Sequence, residues 1–141
     1  MKFQAKEDID RSIDEVFEKL SDFENFERIA LQRGVSVSRK FKTEMPKNGD
    51  EWECTFRFRR KNRDARIILS EISPSEALHF SGESQAIDVT FKVDLIALSK
   101  TRTRIMLDAV MSPKTLAARL FVQSMKLTRS KFNKRFAMRI A

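Results

Sequence analysis

Side chains able to do acid–base, nucleophilic or metal chemistry are scarce in this chain. Its 141 residues hold one histidine (His79), one cysteine (Cys54) and no tyrosine. Histidine is the usual general base near neutral pH. His79 lies between Leu78 and Phe80, and strand alternation gives those two to an inner face and turns the imidazole outward. A one-residue bulge would reverse this. Cys54 is in phase with Trp52 and Phe56 and points inward, where a thiol most often serves as a small apolar group. Nucleophilic use would need a base beside it, and His79 faces the other way. One His and one Cys do not supply the ligand set of a zinc site, so no metal is expected. The three glycines, Gly34, Gly49 and Gly82, are too far apart for a phosphate loop. Without an inward histidine there is no Ser-His-Asp arrangement. Ser124, with Gln123 and Thr128, lies on or beside the apolar stripe of a helix. It can hydrogen-bond a ligand, or its own helix carbonyl four residues back. No catalytic residue and no cofactor are expected.

Charge is distributed unevenly. Of the 28 Lys and Arg, eight fall in the last 29 residues, which contain no acid; the other 112 residues balance 20 basic against 20 acidic side chains. The net charge of +8 therefore belongs to one segment. A second basic cluster, Arg57, Arg59, Arg60, Lys61, Arg63 and Arg66, stands on a strand and its turn, near Glu51 and Glu53. Such clusters suit solvent, anionic headgroups or nucleic acid. Alternation hides Phe56 and Phe58 inside, away from any base, so nucleic acid is the disfavoured partner. The opening MKFQAKEDID has no apolar leader, and no stretch approaches the ~20 apolar residues of a membrane span. With a single cysteine, a cytoplasmic protein is the expectation.

The elements that must position these groups follow from periodicity. Residues 2–9 alternate as a strand. Ser12 and Glu15 form a capping box ahead of Ile13, Val16, Phe17 and Leu20. Ser21-Asp22 opens a second short helix through Phe23, Phe26, Ile29 and Ala30, ending near Gly34. From Val35 the period becomes two, predicting six antiparallel strands in succession. The turns are placed at Pro46 to Gly49, at Lys61 to Asp64, at Ser73-Pro74 and at Ser99 to Thr101. Ser112-Pro113 then reads as N-cap and first residue of a long helix whose apolar face is Leu116, Ala117, Leu120, Phe121, Met125 and Leu127. One domain, residues 1–141, is expected.

This order resembles the helix-grip fold of the START-like, polyketide-cyclase and lipid-transport superfamily. FQAKEDIDRSIDEVFEKLSDFENFE is similar to the superfamily's strand, helix and Ser-Asp step, and TRTRIMLDAVMSPKTLAARLFVQSMKL to its last strand and gripping helix. The resemblance implies an α+β domain: strand, helix, helix, then a six-stranded antiparallel meander, making a seven-stranded sheet wrapped on the C-terminal helix. It also implies a cavity between them. Periodicity by itself leaves open whether the inward side chains fill that space or line it.

On this reading the cavity is lined by Trp52, Phe56, Phe58, Leu69, Phe80, Val89, Phe91, Leu107, Leu120, Ser124 and Leu127. The expected function is binding or carriage of a hydrophobic small molecule (lipid, quinone or polyketide-like). The alternatives are a cyclase or aromatase, and a basic module for anionic membranes or RNA-containing particles. An anionic membrane surface is the expected second partner, through the basic outer face.

Overall fold

The computed structural model describes residues 1–42 and 45–126. Strand β1 (Lys2–Ile9) leads into α1 (Ile13–Leu20) and α2 (Phe23–Gln32). Six strands follow: β2 (Ser36–Arg39), β3 (Glu51–Phe58), β4 (Lys61–Ser73), β5 (Ala77–Ser84), β6 (Ile87–Ser99) and β7 (Arg102–Pro113). Helix α3 (Leu116–Lys126) closes the described part. The sheet has seven strands in the order β1-β7-β6-β5-β4-β3-β2. The meander therefore runs unbroken from β2 to β7, and β1 returns to pair with β7 in register, Phe3 opposite Ala109.

The caps sit where the side chains call for them. Ser12 accepts from the Glu15 amide at 3.3 Å and Asp22 from the Asn25 amide at 3.2 Å, each satisfying an orphan donor at a helix start. Gly34 follows α2 with φ +83°, the left-handed conformation that ends helices with little strain only in glycine.

Two boundaries differ from expectation. The β3–β4 turn is made by Arg59 and Arg60, with Phe58 paired to Lys61, so Lys61 to Asp64 is strand. Both arginines have positive φ, 52° and 65°, a turn geometry that prefers Asn-Gly, which is why sequence signals missed it. At the other end Pro113 still pairs with Ile87, so β7 runs past Ser112. The helix cap is instead Thr115, whose hydroxyl accepts from the Ala118 amide at 3.1 Å.

The inner face of the sheet holds the core. Val16 of α1 and Phe23 of α2 cluster with Ile9, Trp52, Leu69, Leu78, Val93, Leu95, Ile105 and Leu107, all buried. Thr103 is fully buried among them and donates to the Arg11 carbonyl at 2.8 Å, tying β7 to the β1–α1 corner. Helix α3 packs on β7 with Ala118 and Val122 buried.

The outer face is charged and largely self-paired. Arg66 meets Glu51 at 3.3 Å and also Glu83, Lys40 meets Glu53 at 3.2 Å, and Lys114 meets Asp88 at 2.9 Å. On β1 and β7, Arg104 holds Asp8 by two hydrogen bonds of 2.8 and 3.2 Å. Those bonds draw the Asp8 carboxyl below its ordinary pKa. A carboxyl depressed in the folded state stabilises above its unfolded pKa of about 3.9 and loses that contribution as pH falls through its folded value. Asp8→Asn should therefore differ in stability from the parent by a constant amount above pH ~5, and the gap should close below pH ~4. Urea midpoints across that range check it; a gap constant down to pH ~3 would refute the pairing.

Candidate functional site on the inner face of the sheet

The inner face is unevenly covered. Around β6 and β7 the inward side chains Val93, Leu95, Ile105, Leu107 and Ala109 are all buried. On β3, β4, β5 and the first half of β6 the inward-facing Phe56, Ile67, Phe80, Val89 and Phe91 are only half-buried. These residues are contiguous through the strand register: Phe80 lies opposite Phe91, Leu69 opposite Phe80, and Gly82 between Ile67 and Val89. Gly82 leaves a gap in this apolar patch. A Cβ there would meet only Val89, at 3.8 and 3.9 Å, which is ordinary contact, and its φ is not left-handed. The space is thus open to a side chain that the sequence does not supply.

An aromatic box borders the patch. The Trp52 ring lies 5.5 Å from Phe23, 5.3 Å from Phe41 and 6.4 Å from Phe80, all tilted or edge-on, and Trp52 is 4% exposed. Its indole N–H is buried with no hydrogen-bond partner. The other such atom among the described residues, Asp88 Oδ1, is served by Lys114 at 2.9 Å. That leaves Trp52 Nε1 as a true orphan, and buried orphans are uncommon enough to need a reason. Arg39 caps the box from β2: its guanidinium stands 5.2 Å from the Phe41 ring centre and holds Glu27 of α2 at 2.6 Å, which raises its already high pKa.

The sequence-expected lining is placed as follows. Trp52, Leu69 and Leu107 are buried on the inner face, and Phe56, Phe80, Val89 and Phe91 form the half-covered patch. Phe58, 40% exposed at the end of β3, meets Phe121 of α3 at 5.7 Å between ring centres. Leu120 is 62% exposed, and Ser124 is exposed and donates to the Phe121 carbonyl at 2.7 Å. The cause is the rotation of α3, which turns Ala118 and Val122 to the sheet and Leu116 and Leu120 to the opposite side of the helix. Leu127 lies outside the described residues. Phe23, Phe41 and Gly82 were not in the expected lining. Phe23 directly follows the Asp22 cap and so begins the buried stripe of α2, a signal that was available.

The candidate chemistry does not gather. His79 is on the outer face between Asp94 (Nε2, 2.9 Å) and Glu71 (Nδ1, 3.0 Å). The bulge falls at Ser70 of β4, between Leu69 and Glu71, so it brings Glu71 outward beside His79 and leaves the histidine where alternation put it. Cys54 is inward and 5% exposed, and burial pushes its thiol pKa up, away from a thiolate. A shallow groove of about 570 Å³, lined by Glu53, Thr55, Asp64, Arg66, Glu83 and Lys114 among others, is mixed in character and its cations are paired. Among the described residues no cluster of three or more His, Cys, Asp or Glu is placed to hold a metal, and no helix is long and apolar enough to cross a membrane.

No protein-family profile and no curated protein matches this sequence. Solved structures do match its shape over nearly the whole chain. A conserved protein from Geobacillus kaustophilus is 18% identical with a TM-score of 0.63, covering 99% of this chain and 95% of that one. A START superfamily protein from Mycobacterium smegmatis is 8% identical with a TM-score of 0.62, covering 99% of both chains. The Zhui aromatase/cyclase of a Streptomyces species is 12% identical with a TM-score of 0.63, covering 92% and 86%. At such identities the likeness speaks for the fold and not for the activity. Element order, sheet topology and these likenesses together give the chain the helix-grip fold of START-like proteins.

Proposed function

We propose that this chain binds and carries a hydrophobic small molecule against the inner face of its sheet, beside α3. The observation that carries the reading is the contiguous, half-buried apolar patch of Phe56, Ile67, Phe80, Val89 and Phe91 around the gap at Gly82. Inward-facing side chains are normally packed to crystal-like density, and apolar surface left uncovered marks a place for a partner. The aromatic box favours flat or branched hydrocarbon. The reading extends to quinone- and polyketide-like molecules as well as simple lipids, since all present the hydrocarbon that such a patch would cover. A cyclase or aromatase would need facing ionisable groups in the patch. His79 and Ser124 stand outside it, and the Cys54 thiol is held protonated by burial.

The test uses the chain's only tryptophan, which makes fluorescence a report on Trp52 alone. Titration with a long-chain fatty acid, a prenylated quinone and a polycyclic aromatic ketone should shift or quench its emission saturably for at least one. Native mass spectrometry of protein purified from its host should show a lipid-sized adduct. Unchanged emission with all three, together with a bare mass, would end the proposal.

A further inference from the structure

The β3–β4 turn and the start of α3 meet in a way that neither the sheet nor the ligand patch requires. Phe58, at the end of β3, packs edge-on against Phe121 of α3 at 5.7 Å between ring centres, and each is 40% exposed. Beside them Leu116 and Leu120, 74% and 62% exposed, stand one helical turn apart on the face of α3 turned away from the sheet. Near this apolar wedge, on the turn, the start of β4 and α3, stand Arg59, Arg60, Lys61, Arg63 and Arg119, none of which has an ion-pair partner among the described residues. On the outer face, Arg66, Arg104, Lys40 and Lys114 each meet a carboxylate. Two of the free cations, Arg59 and Arg60, occupy the turn in left-handed backbone that Asn-Gly would adopt with less strain. The fold thus tolerates strain to hold two guanidinium groups at its tip.

We propose that this tip, Phe58 with Arg59 and Arg60 beside the Leu116–Leu120–Phe121 arc of α3, docks on an anionic lipid bilayer. Cations pair with the headgroups while Leu116, Leu120 and the phenyl edges enter the boundary with the acyl chains. The exposed aliphatic side chains decide against RNA. Base stacking needs an open aromatic face, and the Phe58 ring already has Arg59 and Arg63 at 5.5 and 5.7 Å and the Phe121 ring against it. The membrane contact is thereby placed at the turn, where cations and exposed apolar side chains occur together, and not on the charged outer face. It needs no molecule held inside, so ligand binding and bilayer binding succeed or fail separately.

Sedimentation with vesicles of one part phosphatidylserine to two parts phosphatidylcholine tests it, with pure phosphatidylcholine vesicles and a single-stranded RNA in parallel. The parent protein should bind the anionic vesicles at low salt, weaken as salt rises, and bind the neutral vesicles far less. Arg59→Asn/Arg60→Gly should lower anionic-vesicle binding about thirtyfold, at about 1 kcal/mol per headgroup-facing arginine. Its thermal stability should be equal or higher, since the turn then has its preferred residues. Leu116→Glu/Leu120→Glu, at exposed positions, should also abolish binding. No binding to anionic vesicles at low salt, equal binding to neutral ones, or unchanged binding in either variant would overturn the proposal. So would RNA binding as tight as vesicle binding that Arg59→Asn/Arg60→Gly removes and Leu116→Glu/Leu120→Glu leaves.

Discussion

Gly82→Leu should abolish or weaken ligand binding by at least about tenfold while leaving the protein as stable as before. The expected magnitude follows from the value of a methylene-sized clash in an apolar pocket, about 1–3 kcal/mol, taken over a whole isobutyl group. At Gly82 a Cβ meets only Val89, at 3.8 Å or more, so the added side chain starts without a clash and its remaining carbons extend over the patch. Glycine inside a strand also weakens it by roughly 0.5–1 kcal/mol relative to alanine, so the substitution has something to gain in stability. Trp52 fluorescence reads the binding and urea denaturation the stability. If Gly82→Leu binds ligand as well as the parent, the molecule lies elsewhere, and the patch is merely a loosely packed core.

Leu69→Ala should destabilise by about 3 kcal/mol, with a fall in Tm of about 10 °C for a chain of this length. Leu69 is 0% exposed at the centre of β4, and its amide and carbonyl also hold the turn before β3, bonding Asp50 at 2.8 Å and Gly49 at 2.7 Å. Truncation leaves a cavity that its neighbours Trp52, Leu78 and Phe80 can only partly fill, since each is held by its own strand. Leu98→Ala, at a side chain 41% exposed, is the matched control and should change stability by under about 0.5 kcal/mol. A loss under about 1 kcal/mol at Leu69 would mean that β4 is not the packed centre of the sheet.

The alternation of Trp52, Cys54 and Phe56, and of Val89, Phe91 and Val93, was legible because a half-buried strand has no other way to separate carbon from water. The Ser12 and Asp22 caps and the Gly34 stop were legible for a similar reason: each solves a local hydrogen-bond or dihedral problem within four residues. Three features were not. The Arg59-Arg60 turn carries no turn residue, so local preference pointed two residues downstream. The end of β7 was hidden because Ser112-Pro113 has the chemistry of a helix start, while the pairing of Pro113 with Ile87, a long-range contact, decides otherwise. The rotation of α3 was ambiguous because its residues are apolar on more than one side. Leu116, Leu120 and Phe121 offer more area than Ala118 and Val122, yet the smaller pair faces the sheet. For the site, sequence named most of the inner patch but not the gap, since a missing side chain leaves no mark in a hydrophobic pattern.

That smaller pair has a consequence for how anything gets in. Within its described length α3 buries Ala118 and Val122 against the sheet, and Phe121 meets Phe58 of β3 edge-on at 5.7 Å between ring centres. Among the described residues α3 touches the sheet far less than the strands touch one another, so local opening is easier there than within the sheet.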